Sequence, residues 1–299
     1  MSLFTGLSAF PLTPATVDGI VDAEALGRLT ARLVDAGVDS IGLLGRTGAY
    51  AYLTRMEHRR AVEVAVGIAG GRVLVRVGVA ALRTDDACSL ADDAARAGAD
   101  ALLLAPMSYT PLTDDEVFAH YVAVANATDL PLCIYNNPTT TRFTFGAELL
   151  GRLAGGSRIA AVKMPLPADG DVAAELALLR SGPAAALSIG YSADWGLADA
   201  TLAGADGFYS AVGGILPRET LALFRAARTG DAAEARRIDG AFQPLWSLFG
   251  SLGGLRVIYA IANELSLCDF DPPRPILPLQ PRDRDLVRAA LCGIERLLA

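Results

Sequence analysis

Short apolar segments recur along most of the chain at fairly even spacing, and an amphipathic stretch follows each one. The segments cover residues 6–10, 40–44, 73–77, 101–105, 130–135, 159–163, 185–189 and 207–211. They are apolar almost throughout rather than alternating, which is typical of strands buried on both faces of a parallel sheet. Strand, helix and strand in this order indicate βαβ units with right-handed crossovers. Eight such units predict a closed (β/α)8 barrel, the TIM barrel.

The segments between the apolar runs contain signals for helix boundaries. Thr54 with Glu57, and Thr113 with Glu116, have the spacing of capping boxes that begin helices. A doubly wound open sheet is the alternative fold. Such sheets usually begin with a glycine-rich dinucleotide-binding turn, which residues 6–11 do not resemble.

The alternation of strand and helix stops after about residue 228. Residues 231–249 and 255–265 have helical patterns, a proline-rich connector covers residues 271–281, and a last amphipathic helix begins at about Asp283. We therefore predict a (β/α)8 barrel over residues 1–227 and a C-terminal helical region over residues 228–299.

Composition argues against several classes of function. The formal net charge of −7 disfavours a nucleic-acid partner and leaves no basic surface for a membrane. We expect no secretory signal, and the uncharged stretch 240–255 is too rich in glycine for a membrane span. The four cysteines form no C-x-x-C pair, and the two histidines have no third ligand nearby. We expect a reduced, cytoplasmic protein without a metal site.

Lys163 is the single lysine among 26 lysine and arginine residues, and it ends the sixth apolar segment. An ordinary surface lysine lies among polar neighbours instead. Compositional drift toward arginine is one explanation. The chemical explanation is that arginine does not replace a lysine whose amine must lose its proton and attack a carbonyl. Burial favours the neutral amine, so we predict that Lys163 forms a Schiff base with a keto group.

The active site of a TIM barrel lies at the C-terminal ends of its strands, so the residues that close the apolar segments are candidates. Tyr135 closes the fifth segment, and we predict that its phenol transfers protons with help from a relay or a positive charge. Tyr209 lies near the end of the eighth apolar segment, so it is a candidate for the substrate site. The loop 45–48 can direct backbone N–H groups at a carboxylate. Each feature alone has an ordinary explanation as a turn or a core aromatic residue.

Together these residues resemble the dihydrodipicolinate synthase / N-acetylneuraminate lyase family of class I (Schiff-base) aldolases. The resemblance covers nearly the whole chain, including the glycine-to-proline opening at residues 6–14 with slightly changed spacing. Its further motifs are G-x-T-G at 45–48, L-T-x-x-E at 53–57, Y-N-x-P at 135–138, V-K at 162–163 and L-x-G-A-D-G at 202–207.

The resemblance implies a (β/α)8 barrel with a C-terminal helical region, assembled as a homotetramer or a dimer. It implies that Lys163 forms the imine with pyruvate or another 2-keto acid and that Tyr135 transfers the proton. Thr47 and Gly48 would hold the carboxylate, and Gly190 would line the pocket. The covalent imine needs no cofactor.

The loop 45–48 departs from the family pattern. Arg46 replaces a hydroxyl residue that relays protons to the tyrosine, and Ala49 replaces a glutamate. Arginine is neither an acid nor a base at neutral pH. Three roles stay open for Arg46: favouring the phenolate of Tyr135 by its charge, binding a second carboxylate of the substrate, or filling the pocket.

Other substrate positions depart as well. Ser108 aligns with the second relay tyrosine of the synthases, and Tyr109 follows one residue later, so we include both in the predicted substrate site. Thr140 stands where the synthases place the arginine that binds aspartate semialdehyde. Tyr191 and Ser192 occupy the stretch where the sialic-acid lyases have an acidic residue.

We therefore predict a Schiff-base-forming lyase, either an aldolase or a dehydratase, that acts on pyruvate or a related 2-keto acid through Lys163. The second substrate and the direction of reaction stay open. One alternative is a dehydratase for 3-deoxy-2-keto sugar acids, and another is a keto-acid-binding paralogue with little or no activity. A purely structural role is disfavoured because polar side chains at a barrel mouth cost stability unless they are used or hydrogen-bonded.

Overall fold

A closed parallel barrel forms the centre of the computed structural model, which describes residues 3–156 and 158–298. Over these ranges eight strands follow one another around the barrel in sequence order, and β1 closes against β8. The predicted TIM barrel is confirmed. The strands are β1 (Gly6–Ala9), β2 (Ser40–Leu43), β3 (Leu74–Gly78), β4 (Ala101–Leu104), β5 (Leu132–Tyr135), β6 (Ile159–Met164), β7 (Ser188–Ser192) and β8 (Gly207–Ser210).

Helices connect the strands and continue beyond the barrel. Those between or after the strands are α1 (Ala23–Ala36), α2 (Arg55–Ala69), α3 (Thr84–Arg96), α4 (Asp114–Ala125), α5 (Pro138–Thr141), α6 (Ala147–Ala154), α7 (Val172–Ser181), α8 (Leu197–Leu202) and α9 (Pro217–Arg228). The C-terminal region contains α10 (Ala232–Leu248), α11 (Gly254–Glu264) and α12 (Pro281–Leu298).

The two predicted capping boxes differ in the structure. At the start of α4, Thr113 and Glu116 form both reciprocal hydrogen bonds of the box. At the start of α2, Thr54 accepts from the backbone N–H of Glu57, but the Glu57 carboxylate accepts from the backbone N–H of Val21 at 2.7 Å. Glu57 therefore joins α2 to the segment before α1 instead of completing the box.

The seventh strand begins three residues later than predicted. The apolar segment 185–189 was expected to form it, whereas β7 covers Ser188–Ser192. Two turn hydrogen bonds hold the earlier part: Ala185 N–H donates to the carbonyl of Gly182 at 3.1 Å, and Leu187 N–H donates to that of Ala184 at 2.9 Å. Hydropathy alone does not distinguish such a buried turn from a strand.

The interior of the barrel contains a buried arginine that sequence patterning did not single out. Arg76 on β3 is 3% exposed, and its guanidinium carbon lies 5.1 Å from the centroid of the Phe4 ring and 5.7 Å from that of Tyr209. The guanidinium also donates to the carbonyl of Leu3. Its charge is therefore held at the N-terminal end of the barrel by aromatic faces and one backbone oxygen.

The C-terminal region begins with a long helical stretch. Residues Ala232–Glu264 include α10, a single π-helical segment (Phe249–Gly253) and α11, and they are long enough to span a bilayer and contain an 18-residue window with a mean hydropathy of 1.4. However, 61% of this apolar window is buried inside the protein, where α10 packs against α8, α9 and α12. This is the behaviour of a core helix. Because α10 contacts the barrel helices directly, a division between residues 227 and 228 stays a prediction.

A buried histidine makes stability depend on pH. Burial lowers the pKa of His58 below 6.5, and its Nε2 lies 2.7 Å from the carbonyl oxygen of Gly78. The unfolded chain therefore binds this proton more readily than the folded chain. We expect the free energy of unfolding to fall as the pH drops below about 6.5. His58→Gln should reduce this dependence in urea denaturation at pH values of about 7.5 and 5.5. If the native protein and His58→Gln lose the same free energy of unfolding between these two pH values, the assignment to His58 is contradicted.

Candidate active site

Lys163 extends from β6 into a cluster of aromatic rings at the C-terminal end of the barrel. The residue is 5% exposed. Its Nζ lies 3.8 Å from the ring centroid of Tyr135, 4.5 Å from that of Phe10 and 5.7 Å from that of Tyr209. Within the described part of the chain, no carboxylate forms an ion pair with this amine. The nitrogen is therefore held by ring faces rather than by a salt bridge.

The backbone register places Tyr135 and Gly190 on either side of Lys163. Tyr135 on β5 and Gly190 on β7 are the direct register partners of Lys163. Side chains at paired positions of a parallel sheet point to the same face, so the phenol and the amine share the barrel interior. The Tyr135 hydroxyl accepts a hydrogen bond from Nδ2 of Asn137 at 3.0 Å. This bond orients the phenol beside the amine.

A cavity of about 380 Å³ opens around the amine, and we call it the lysine chamber. Its walls come from the ends of several strands and from the break between α10 and α11. It is lined by Phe10, Arg46, Thr47, Tyr135, Asn137, Thr139, Lys163, Pro165, Leu166, Pro167, Ser192, Ala193, Asp194, Trp195, Tyr209, Ala211, Phe249 and Gly254.

Three of the predicted substrate residues line this chamber, namely Arg46, Thr47 and Tyr209. Thr47 is 7% exposed, so its hydroxyl faces a largely enclosed space. Tyr209 is 3% exposed, and its hydroxyl lies 3.4 Å from Sγ of Cys133. The structure thus brings these residues together with Lys163 and Tyr135.

The two predicted glycines, Gly48 and Gly190, do not line the chamber. Neighbouring atoms pack closely against both glycines and fill the space that a side chain would need. A Cβ on Gly190 would lie 2.5 Å from Cε2 of Tyr209 and 2.8 Å from the carbonyl oxygen of Gly207. A Cβ on Gly48 would lie 2.9 Å from Cα of Leu44. Gly190 therefore makes room for the Tyr209 ring, and Gly48 allows the loop to fold tightly on the end of β2.

Ser108 and Tyr109 lie outside the lysine chamber in this chain. Tyr109 is 97% exposed. The Ser108 hydroxyl donates to the carbonyl of Thr110, within its own loop. Ser108 instead lines a separate cavity with Leu82, Leu112 and His120, and neither Ser108 nor Tyr109 lines the lysine chamber.

Sequence reasoning missed Asp194, a buried carboxyl group in the wall of the lysine chamber. Asp194 accepts hydrogen bonds from the Ser210 hydroxyl, from Ala211 N–H at 3.2 Å and from Val212 N–H at 3.1 Å. Burial raises the pKa of Asp194, although these hydrogen bonds and the Lys163 charge lower it. The carboxyl group holds the loop after β8. The one sequence signal for it was the family pattern, because the sialic-acid lyases have an acidic residue soon after the strand-seven glycine, and Asp194 lies four residues after Gly190.

Two further groups near the amine are poor acids and bases because they are buried. Burial raises the pKa of the Cys133 thiol to about 11. Burial and the neighbouring Cys133 also raise the pKa of Tyr209 well above the usual value for a phenol. Both groups therefore stay protonated near neutral pH, which leaves Lys163 and Tyr135 as the central pair for proton and bond chemistry.

A second cavity of about 390 Å³ adjoins the first, and we call it the arginine chamber. Arg46, Tyr135, Asn137 and Gly254 form a wall shared by both chambers. Tyr50 lines the arginine chamber only. Burial raises the pKa of its phenol, and the charge of Tyr135 raises it further. The remaining lining residues are Ala49, Ala51, Tyr52, Ala105, Met107, Thr140, Thr141, Gly253, Leu255, Arg256 and Ile276.

A group of three or more histidine, cysteine, aspartate or glutamate side chains arranged to hold a metal ion is not found among the described residues.

Residues 3–293 match the model of the dihydrodipicolinate synthetase family. The chain belongs to this family. Among curated relatives, the 4-hydroxy-tetrahydrodipicolinate synthase of Corynebacterium aurimucosum is 35% identical over 287 residues, covering 95% of this chain and 92% of the relative. That of Gluconacetobacter diazotrophicus is 32% identical, covering 98% and 97%. The predicted family resemblance is therefore confirmed.

Solved structures of the dihydrodipicolinate synthetase family agree with the fold. A dihydrodipicolinate synthase from Agrobacterium tumefaciens is 60% identical, with a TM-score of 0.96 and 98% of each chain covered. Another from Aquifex aeolicus is 29% identical, with a TM-score of 0.89 and 98% of each chain covered.

Gly190→Ala tests the close approach between β7 and Tyr209. The added methyl group would meet both the Tyr209 ring and the Gly207 carbonyl. We expect the free energy of unfolding to fall by about 1–3 kcal/mol, the usual cost of overpacking a core. Gly67→Ala in α2 is the matched control, since nothing lies within 4 Å of its added Cβ. That change should be neutral or stabilising by about 0.5–1 kcal/mol. If Gly190→Ala and the native protein have the same free energy of unfolding in urea denaturation, the packing argument is contradicted.

Proposed function

We propose that this chain is a Schiff-base-forming lyase, an aldolase or a dehydratase, that acts on pyruvate or a related 2-keto acid through Lys163. One observation carries the proposal. The only lysine of the chain lies in a cavity at the C-terminal end of a TIM barrel, with its amine 3.8 Å from the ring of Tyr135. Membership of the dihydrodipicolinate synthetase family supports the same chemistry.

The first step is imine formation at the amine. The lone pair of the neutral Lys163 nitrogen attacks C2 of the keto acid, and the carbonyl oxygen leaves as water after it takes up two protons. The resulting iminium draws electrons from the adjacent C3–H bond. Loss of that proton gives an enamine, whose C3 then bonds to a second carbonyl carbon. In a dehydration the enamine electrons instead form a C3–C4 double bond, and the hydroxyl on C4 takes up a proton and leaves as water. Hydrolysis of the imine returns the free lysine.

Tyr135 is the proposed proton-transfer residue for these steps. Its hydroxyl accepts from Asn137, which leaves the phenolic proton free to be directed at the reacting atoms. Arg46 lines the same two chambers as Tyr135 and stands where the usual hydroxyl relay is absent. Thr47 is buried and lines the lysine chamber, which supports the proposal that its hydroxyl donates to the carboxylate of the keto acid.

The second substrate stays unassigned, although several relatives are named 4-hydroxy-tetrahydrodipicolinate synthase. Arg46 occupies the position of the relay hydroxyl, and Thr140 occupies that of the aldehyde-binding arginine in the family pattern. Both positions line the arginine chamber. Changes at these two positions alter the charge of the pocket where a second substrate would enter, so the relatives' substrate does not transfer directly.

The remaining predictions concern the cofactor, the oligomeric state and the cellular location. The covalent imine carries the chemistry, so the proposal includes no cofactor. A homotetramer or a dimer stays a prediction, supported by exposed apolar side chains at Leu82 (65%) and Tyr109 (97%) on the loops after β3 and β4. A cytoplasmic location also stays a prediction, supported by four cysteines that are all unpaired.

Reduction with borohydride in the presence of pyruvate tests the nucleophile. We expect a stable adduct, detected as a mass increase and located on Lys163 by peptide mapping, because Lys163 is the only lysine. Lys163→Arg keeps the charge but does not form an imine, so it should give no adduct at this position. Native protein without adduct on Lys163, at saturating pyruvate, contradicts the proposed function.

Tyr135→Phe tests the proton-transfer role. Removal of the hydroxyl should slow formation of the trapped pyruvate adduct by roughly 10²–10⁴-fold, the usual contribution of a positioned acid or base. The rate is measured by quenching with borohydride at successive times. The melting temperature of the variant, compared with that of the native chain, separates loss of catalysis from loss of folding. An unchanged rate assigns proton transfer to another group.

A further inference from the structure

We propose that Trp195 and Leu166 bind an apolar group carried beyond C3 of the keto acid, so that the second substrate of this chain is an apolar aldehyde, preferably an aromatic one. The inference rests on the proposed function, because it takes the keto group to be bonded to Lys163. It adds the chemical class of the second substrate and two residues that no sequence motif indicated. It also favours an aldolase over a dehydratase for sugar acids.

One side of the lysine chamber is apolar, and we call it the apolar wall. It consists of Pro165, Leu166 and Pro167, which follow β6 directly, and of Trp195 in the turn after β7. Trp195 is 49% exposed, and among the described residues it is the one exposed large apolar side chain that lines this chamber. A half-exposed indole in the wall of a cavity offers surface that a ligand can cover.

A glycine allows the two loops of the apolar wall to meet. A Cβ on Gly196 would lie 2.4 Å from Cδ1 of Leu166 and 2.5 Å from its Cδ2. Leu166 therefore packs on the backbone that directly follows Trp195. Pro165 and Pro167 have fixed φ angles, and Pro167 also restricts Leu166 to extended backbone. The wall is thus largely preformed, which lowers the entropic cost of binding a ligand against it.

The backbone before Trp195 is strained. Ala193 has a φ of 79°, which an alanine adopts only at a cost in free energy. The next residue, Asp194, is buried, and its carboxylate accepts from Val212 N–H at 3.1 Å in the loop after β8. Trp195 then lies half exposed beside the cavity. Backbone strain that persists at a cavity is typical of residues that hold a binding group in place.

The polar side chains on the β7 side of the chamber are already bonded within the protein. The Ser192 hydroxyl donates to the carbonyl of Met164 at 3.1 Å. The Asp194 carboxylate accepts three hydrogen bonds from residues 210–212. A chain of sugar hydroxyls would lose its bonds to water here without finding free partners on these two side chains, whereas an apolar group has no such bonds to lose.

The polar side chains after β5 are bonded to one another as well. The Thr139 hydroxyl donates to Oδ1 of Asn137 at 2.9 Å, and Nδ2 of Asn137 donates to the Tyr135 hydroxyl at 3.0 Å. These bonds hold the loop after β5 and orient the phenol. The loop therefore adds few free hydrogen-bonding groups for a second substrate.

The opposite side of the chamber is the one proposed for the carboxylate. Thr47 lies on the loop after β2, and in a closed barrel of eight strands β2 lies across the axis from β6. A carboxylate bound at Thr47 is therefore across the chamber from Leu166. Because C2 of the imine is trigonal, C3 leaves it in a different direction from the carboxylate. The group beyond C3 is thereby directed away from Thr47, toward the side that the apolar wall forms.

The aldol reaction then has a defined course. C3 of the enamine bonds to the carbonyl carbon of the aldehyde, and the aldehyde oxygen takes up a proton. Water hydrolyses the iminium and releases a 4-hydroxy-2-keto acid with the apolar group on C4. That group packs against the indole of Trp195, where an aromatic ring gains most. The same steps in reverse break the C–C bond and release the aldehyde.

Two keto acids that differ only in the group on C4 test the apolar wall. 2-Oxo-4-phenylbutanoate carries a phenyl ring on C4, and 2-oxobutanoate carries a hydrogen there. Each is incubated with the protein and borohydride, and the concentration that gives half-maximal adduct on Lys163 is measured. We expect the phenyl compound to need an at least about tenfold lower concentration, because its ring is buried against the wall.

Variants assign the preference to the wall. Trp195→Ala and Leu166→Ala should each move the ratio of the two half-maximal concentrations toward one, whereas Trp195→Phe keeps a ring and should retain most of the native ratio. Leu178→Ala is the matched control, because Leu178 is 68% exposed and lines neither chamber. Each ratio is internal to one variant, so a general change in imine formation affects both keto acids alike.

The outcomes separate the two proposals. An adduct with pyruvate but equal half-maximal concentrations for the two longer keto acids overturns only the present inference. A preference for the phenyl compound that persists in both Trp195→Ala and Leu166→Ala also overturns it. An absence of adduct with all three keto acids contradicts the proposed function, and the inference falls with it.

Discussion

The parallel register of β5, β6 and β7 is the constraint on which the site depends. It sets Tyr135, Lys163 and Gly190 side by side, all facing the barrel interior. Gly190 has no side chain, so the ring of Tyr209 fills the space beside the amine. A shift of one residue between β5 and β6 would turn either the phenol or the amine to the outside of the barrel. Closure between β1 and β8 removes free sheet edges and so makes such a shift unfavourable.

The C-terminal helices are part of the site as well as of the core. Phe249 and Gly254, at the two ends of the π-helical segment, line the lysine chamber, and Gly253 and Arg256 line the arginine chamber. A side chain at Gly254 would meet the Phe249 ring, since its Cβ would lie 2.7 Å from Cδ1 of Phe249, and it would also approach Nη2 of Arg46 at 3.5 Å. The interrupted helix thus contributes residues to the walls of both chambers.

Residues at the ends of β5, β6 and β8 and on the loop directly after β2 were predicted to meet in one cavity and do so, whereas those on other loops were not predictable. Lys163 and Tyr135 close apolar segments, and the closed barrel necessarily directs such positions toward one rim. Ser108 and Tyr109 follow a strand in the same way, but neither lines the lysine chamber. Asp194 and Arg256 come from a loop and from a helix after the barrel, and local hydropathy does not indicate what they face. Gly48 and Gly190 were recognised as important, but their part in packing was visible only in three dimensions.

The amino-acid sequence by itself determined the barrel, its order of strands, the place of the single lysine at a strand end and the family, because these follow from local hydropathy and from residue types at strand ends. The tertiary structure alone decided the start of β7, the two adjoining chambers and the approach of Arg46 to Gly254. These features depend on contacts between segments as far apart in the chain as residues 46 and 254. Such long-range packing is decided by how the segments fit together and leaves no periodic signal in the sequence.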